Sequence, residues 1–141
     1  MGRSVLTAGV LLLAVAAGVA EDKKSPLDGK WAIESVSRDG KADPNYAGGS
    51  RTHENGKYVM TMAEGKGPAV SEGTFTVDAD KKTIDMNATR GRYKDKTLLG
   101  IYKLDGDTLT IAFAEPGKDR PKEFTSKEGN GVVVAVMKKA K

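Results

Sequence analysis

The sequence contains no cysteine and a single histidine, and both shortages exclude classes of protein. Without cysteine the chain has no disulfide framework, no thiol nucleophile and no thiolate metal ligand. A transition-metal site normally uses three or four nitrogen, sulfur or oxygen ligands, so one imidazole is too few. We predict that His53 is a solvated residue of a glycine-rich loop, and that the protein has no metal site and no cofactor.

Long apolar runs are also scarce, and the one clear example is N-terminal, from Val5 to Ala20. One arginine precedes this run, small residues end it, and charged residues begin at Glu21, as in a secretory signal peptide. The run is shorter than the ~20 residues of a membrane span, although an uncleaved N-terminal anchor is the alternative. We expect residues 1–20 to be a signal peptide, 21–28 a linker and 29–139 a single domain. The protein is then exported, to the periplasm or the extracellular space.

The charge of the predicted mature chain is small. The chain has 23 basic residues, and removing Arg3 leaves 22 against 19 acidic residues, a net charge of +3 with His53 neutral. Acidic residues are interspersed with basic ones, so no strongly basic surface is expected. Nucleic acid is therefore not an expected partner.

Short runs of alternating apolar and polar residues fill the rest of the chain. Leu109, Ile111 and Phe113 alternate with smaller or polar residues, as in a strand with one buried face. No run after residue 21 shows the 3.6-residue period of a helix. About seven to nine short strands joined by short turns must pair antiparallel. The predicted fold is all-β: an up-and-down β-barrel or a strongly curved meander.

Three local predictions accompany this fold. The turn residues from Asp105 to Asp107 predict a tight hairpin around Gly106. The glycine-rich segment 39–56 is predicted to be a long loop with room for a short strand or a helical turn, and it is a candidate lid over the barrel mouth. Residues 120–127 are predicted to form a short edge strand with Pro121 at its start.

Four segments carry a pattern that resembles a known family. They are "GKWAIESVSRDGK", "EGTFTVDADKKTIDM", "KTLLGIYKLDGDTLTIAFAEPGKDRPKEF" and "GVVVAVMKK". Together they are similar to small secreted domains of uncharacterised function that are abundant in planctomycete bacteria. The most specific part is GIYxLDGDTL followed by RPxxF. Members often carry a cysteine after the DGD turn, where this chain has Ala112 and Phe113, which argues against a thiol role.

The architecture that this resemblance implies is lipocalin-like. Lipocalins also place G-x-W on their first strand, where the tryptophan plugs the closed end of the barrel. Gly29 and Trp31 match that motif, so Trp31 is a candidate structural plug. The comparison concerns the fold and does not transfer a ligand.

The predicted inner face suggests a binding function. A barrel of eight strands is either just filled by its side chains or holds one small ligand, and methionine-rich walls adapt to varied ligands. The side chains predicted to line a cavity for a small apolar ligand are Met60, Met62, Met86, Tyr102 and Phe113. The alternative is that they form a filled core, in which case the domain acts as a structural or interaction module through its surface.

The basic segment "TRGRYKDK" offers one such surface. In an extended segment, its cations at every second position lie on one face and are candidates for contact with an anionic envelope polymer. These cations are Arg90, Arg92, Lys94 and Lys96. An ordinary solvated loop is the alternative.

No catalytic residues are predicted. The chain has no G-x-S-x-G motif, and a catalytic triad would depend on His53 alone. A pair of acidic residues, as in glycosidases, is the weakest hypothesis, because no spacing distinguishes two of the 19. We therefore expect a protein that is not an enzyme.

Overall fold

The computed structural model describes residues 25–62 and 69–140, without the side chains of residues 69 and 70. The predicted signal peptide and the first part of the predicted linker lie outside the described residues. The nine strands are β1 Gly29–Arg38, β2 Lys41–Ala42, β3 Ser50–Glu54, β4 Lys57–Thr61, β5 Ala69–Asp78, β6 Thr83–Gly91, β7 Thr97–Asp105, β8 Thr108–Ala114 and β9 Val132–Lys139. In these two ranges no helix is long and apolar enough to cross a membrane.

Eight of the strands close into an antiparallel barrel. Each pairs with its neighbour in the order β9-β8-β7-β6-β5-β4-β3-β1, and β9 pairs with β1 to complete the ring. The short β2 adds to the second half of β1 outside this ring. The predicted all-β class and up-and-down topology are confirmed, and the sheet is a closed barrel and not an open meander.

Alternation of apolar residues explains most of the core. In β6 the alternating residues Ile84, Met86 and Ala88 are all buried. In β8 the outward-facing residues Thr110 and Ala112 are buried too, so this strand departs from the alternation predicted for a half-buried strand.

The predicted edge strand at residues 120–127 is wrong. These residues form no strand, because Arg120 ties the connection between β8 and β9 to the outside of the barrel. Its guanidinium donates to the carbonyl oxygen of Gly100 at 2.8 Å and pairs with Asp85 at 2.8 Å. Pro121 is buried beside it. The connection therefore packs across the barrel wall and joins no ladder.

The predicted loop at residues 39–56 contains both β2 and β3, and β3 is a full member of the barrel. Asn55 and Gly56 have φ angles of 53° and 78°, and they connect β3 to β4 as a two-residue loop. Positive φ at both central positions is the requirement of a type I′ hairpin turn. Asp39 and Gly40 join β1 to β2 in the same way, with φ angles of 56° and 80°.

The two ends of the barrel differ. At one end Leu27 is fully buried, and its carbonyl oxygen accepts a hydrogen bond from Nε1 of Trp31 at 2.9 Å. Nζ of Lys139 lies 4.8 Å from the centre of the Trp31 ring and donates to the carbonyl oxygen of Asp28. This end is closed. The opposite end, which we call the mouth, carries the end of β1, residues 43–49, the turn at 92–95 and the two ends of the connection at 115–131.

The predicted hairpin at Gly106 is present, and it generates a stability prediction. Gly106 has a φ angle of +62°, and a Cβ built there would meet no atom within 4 Å. The cost of substitution is therefore backbone strain alone. Gly106→Val should lower the free energy of unfolding by about 1–3 kcal/mol, measured by urea unfolding. Gly106→Asn is the control and should cost less, because asparagine adopts positive φ more readily; equal stability of the valine variant and the wild type would contradict the turn assignment.

A candidate binding site at the barrel mouth

A β-bulge in β1 decides which side chains of this strand enter the mouth. Val136 pairs with Ser35, but the next residue of β9 pairs with Ile33, so Glu34 is an extra residue in the ladder. An extra residue reverses the alternation of side chains beyond it. Val36 and Arg38 consequently line the interior, at positions where strict alternation from Ile33 would place Ser35 and Ser37.

The interior contains a cavity of about 40 Å³ near the mouth. That volume holds a few water molecules or one group of similar size. Its apolar wall includes Val36, Met60, Met86, Leu98, Phe113 and Val133. Its polar groups come from Arg38, Arg51, Arg92, Tyr46, Tyr58 and Tyr93, with Ser71 beside them. The lining is therefore half apolar and half polar, its polar part is mainly cationic or phenolic, and no acidic residue of the described ranges contributes to it.

The structure brings three of the five predicted lining residues together on this cavity. Met60, Met86 and Phe113 belong to its wall. Met62 follows the end of β4 and is half-buried, outside the lining. Tyr102 is buried in the other half of the barrel, where Lys82 lies over its ring at 5.9 Å.

The four predicted anion-contact residues are not on one extended face, because residues 92–95 form a turn. Arg90 ends in an exposed ion pair with Glu72 at 3.0 Å. Lys94 and Lys96 are exposed. Arg92 alone among the four lines the cavity.

A buried arginine and histidine form the deepest polar contact of the site. Arg51 is 3% exposed and His53 is 1% exposed, so the prediction that His53 is solvated is wrong: it faces inward from β3. Nε of Arg51 donates to Nε2 of His53 at 2.8 Å. Because that nitrogen accepts, the ring proton is on Nδ1, which donates to the carbonyl oxygen of Leu27 at 3.0 Å.

Both groups have lowered pKa values. Burial, followed by the charge of Arg51, lowers the pKa of His53 to about 3, so the ring is neutral at physiological pH. Burial lowers the pKa of Arg51 to about 10, with a partly opposing effect of Tyr58. Arg51 therefore keeps its charge, and its guanidinium lies 4.4 Å from the centre of the Tyr58 ring.

This buried positive charge has no carboxylate partner in residues 25–62 and 71–140. The ion pairs found there are Arg90 with Glu72 and Arg120 with Asp85, both on the outside of the barrel. Nη2 of Arg51 instead donates to the sulfur of Met86 at 3.1 Å, and sulfur is a weak acceptor. The site therefore contains a cation that the described chain does not neutralise.

Several other polar atoms, all of residues that line the cavity, are buried without a hydrogen-bond partner among the described residues. They are Nε and Nη1 of Arg38 and the hydroxyl groups of Tyr58 and Tyr93. A buried donor without a partner costs about 1–3 kcal/mol. Four of the six such atoms in the described chain belong to residues that line this one cavity, and a fifth belongs to the ion pair of Asp85. In the described chain, the residues whose buried polar atoms lack hydrogen-bond partners are therefore concentrated around the cavity at the mouth.

Sequence reasoning missed Arg38, Arg51 and Tyr58 as site residues. The alternation of "SRTHE" before the Asn55–Gly56 turn is a signal that would have placed Arg51 and His53 on one inward face. Arg38 had no such signal, since its direction depends on the bulge. The described part of the chain contains no group of three histidine, cysteine or acidic residues that could hold a metal ion.

The unpartnered hydroxyl of Tyr58 generates a prediction. Tyr58 is 2% exposed, and removing its hydroxyl removes a desolvated group without breaking a bond in the described structure. Tyr58→Phe should leave the free energy of unfolding unchanged or raise it by about 1 kcal/mol, measured by urea unfolding. Tyr58→Leu is the control for loss of the ring beneath Arg51 and should destabilise. A clear loss of stability in the phenylalanine variant would show that the hydroxyl has a partner.

The lowered pKa of His53 generates a second prediction. The unfolded chain binds a proton near pH 6.5, whereas the folded protein binds it only near pH 3. Acid therefore favours unfolding, and stability falls as the pH drops below 6.5. At about 1.4 kcal/mol per pH unit, the free energy of unfolding should fall by about 2 kcal/mol between pH 7 and pH 5. His53→Gln should flatten this dependence, since the chain has no other histidine; a slope unchanged by the substitution would contradict the assignment.

Comparison with known proteins adds no function to this geometry. No family model, curated protein or solved structure matches the chain. The resemblance to the planctomycete family thus has no support from these comparisons. The structure itself shows an eight-stranded antiparallel barrel consistent with a lipocalin-like fold, and any assignment of function depends on the cavity at its mouth.

Proposed function

We propose that the protein is an exported, non-enzymatic binding domain for a small, largely apolar molecule, one end of which enters the cavity at the mouth. The observation that carries the proposal is the cavity lining, in which buried polar atoms without partners stand beside an apolar wall. A barrel that served only as a scaffold gains nothing from that arrangement, which is costly until a ligand supplies the missing bonds.

The cavity volume limits how such a ligand binds. Ligand sites that enclose a drug-sized molecule have volumes of about 300–1,000 Å³, whereas this cavity has about 40 Å³. Only one end of the ligand therefore fits inside, and the rest lies at the mouth or displaces side chains. Met60 and Met86 are suited to such movement, because methionine is unbranched and repacks easily.

The same small volume favours a second candidate function. A barrel with so little free space is close to the filled core that a structural or interaction domain would have. Such a domain would act through its surface, where Lys94 and Lys96 are exposed beside the mouth. Contact of this surface with an anionic envelope polymer is the corresponding hypothesis.

Methionine methyl groups distinguish the two functions. Met60 and Met86 line the cavity, whereas Met137 is fully buried elsewhere in the core. The protein is produced by export from an expression host and labelled with ¹³C at its methionine methyl groups. It is then titrated with 1-hexanol, hexanoate and hexylamine while the methyl resonances are followed by NMR. Binding of any of the three at the mouth should shift the resonances of Met60 and Met86 and leave that of Met137 in place.

A cavity-filling variant is the control for this titration. Ser71 faces the cavity from β5, and Thr74 is exposed on the opposite face of the same strand. Ser71→Leu should abolish the shifts, and Thr74→Leu should retain them. If none of the three molecules shifts Met60 and Met86 in the wild-type protein, the binding proposal fails and the filled barrel is favoured.

A further inference from the structure

We infer that the end of the ligand that enters the cavity is a carboxylate, bound by Arg38 and Arg51 with the hydroxyl groups of Tyr58 and Tyr93. The inference rests on the proposed function and specifies its ligand class. It uses two independent observations on the described residues: a buried charge without a counter-ion among them, and several buried donors without acceptors among them.

The charge of the interior selects an anion. Arg51 is 3% exposed and meets a neutral histidine and a thioether in place of a carboxylate. Arg38, which is half-buried, and Arg92, which is exposed, add two more guanidinium groups to the lining. Removing one partner of a buried ion pair is strongly destabilising because a buried charge is left uncompensated, and a bound anion supplies the missing partner. An amine would add a like charge in a medium of low dielectric constant.

The unpartnered atoms are donors, as an anion requires. Nε and Nη1 of Arg38 can only donate, and both are buried without a partner in the described chain. The hydroxyl of Tyr58 can also donate, and it too is buried without a partner in the described chain. The pKa of Tyr93 is raised, chiefly by burial, so its hydroxyl keeps the proton that it would donate. Hydrogen bonds from such donors to a charged acceptor are about twice as strong as neutral ones.

The size and composition of the cavity favour a carboxylate over a larger oxyanion. A volume of about 40 Å³ holds a group of a few atoms. A carboxylate is planar, carries a single charge and is attached to a carbon chain. That chain can extend along Leu98 and Phe113, which belong to the apolar wall. Inorganic phosphate is bulkier and has no apolar part to use this wall.

The experiment compares molecules that share one carbon chain. The shifts of Met60 and Met86 are followed during titration with hexanoate, 1-hexanol and hexylamine, and with inorganic phosphate as a bare oxyanion. Hexanoate should bind at least tenfold more tightly than 1-hexanol and hexylamine, and phosphate should leave both resonances in place.

Variants then identify the groups responsible. Arg38→Gln keeps a side chain of similar length without the charge, at a residue that is half-buried. It should weaken hexanoate binding at least tenfold and 1-hexanol binding much less, because an alcohol carries no charge. Tyr58→Phe should weaken hexanoate binding several-fold. Lys81→Gln removes one positive charge from the exposed hairpin at the closed end and is the matched control for net charge; it should bind hexanoate like the wild type.

The outcomes separate the two proposals. If 1-hexanol binds as tightly as hexanoate, or if Arg38→Gln leaves hexanoate affinity unchanged, the carboxylate inference is overturned while the binding function stands. If phosphate shifts Met60 and Met86 as strongly as hexanoate does, the site is a general oxyanion site and the carboxylate class is wrong. If no probe shifts these resonances, both proposals fail together.

Discussion

The pairing of β9 with β1 is the interaction on which both the barrel and its cavity depend. The ladder runs from Val133 opposite Arg38 to Lys139 opposite Trp31. Without it the sheet would have two open edges with unpaired backbone groups. The bulge at Glu34 lies within this ladder and turns Arg38 inward. The ladder that closes the sheet therefore also places the side chain of Arg38 in the lining of the cavity.

Residues at the closed end of the barrel also hold the charged side chain of Arg51 in place. The carbonyl oxygen of Leu27 accepts from Trp31 and from His53, and this fixes the histidine tautomer that accepts from Arg51. A carboxylate in place of His53 would position the guanidinium equally well, but it would also neutralise it. The neutral ring positions Arg51 and leaves its charge available to the cavity.

Local sequence rules account for the strands and turns better than for the site. Alternation predicted the buried face with Leu109 and Ile111, and the positive φ of Gly106 follows from its place in a tight hairpin. Asn55 and Gly56 are an equally strong hairpin signal, and reading them would have shown β3 inside the segment predicted as a loop. The inward turn of Arg38 is different. It depends on one extra residue in a ladder between strands about 100 residues apart in sequence, and a bulge of that kind leaves no periodic signature in β1 itself.

The energetic cost of the polar lining supports the binding proposal. Replacing buried charged residues with apolar residues of similar volume is often neutral or stabilising, so methionine or leucine at positions 38 and 51 would fill this interior at lower cost. Phenylalanine at position 58 would remove a hydroxyl that has no partner in the described chain. Natural proteins tend to break the rules of core packing at functional sites. Under the binding proposal, a ligand that supplies partners to Arg38, Arg51 and Tyr58 would stabilise the folded barrel by binding to it.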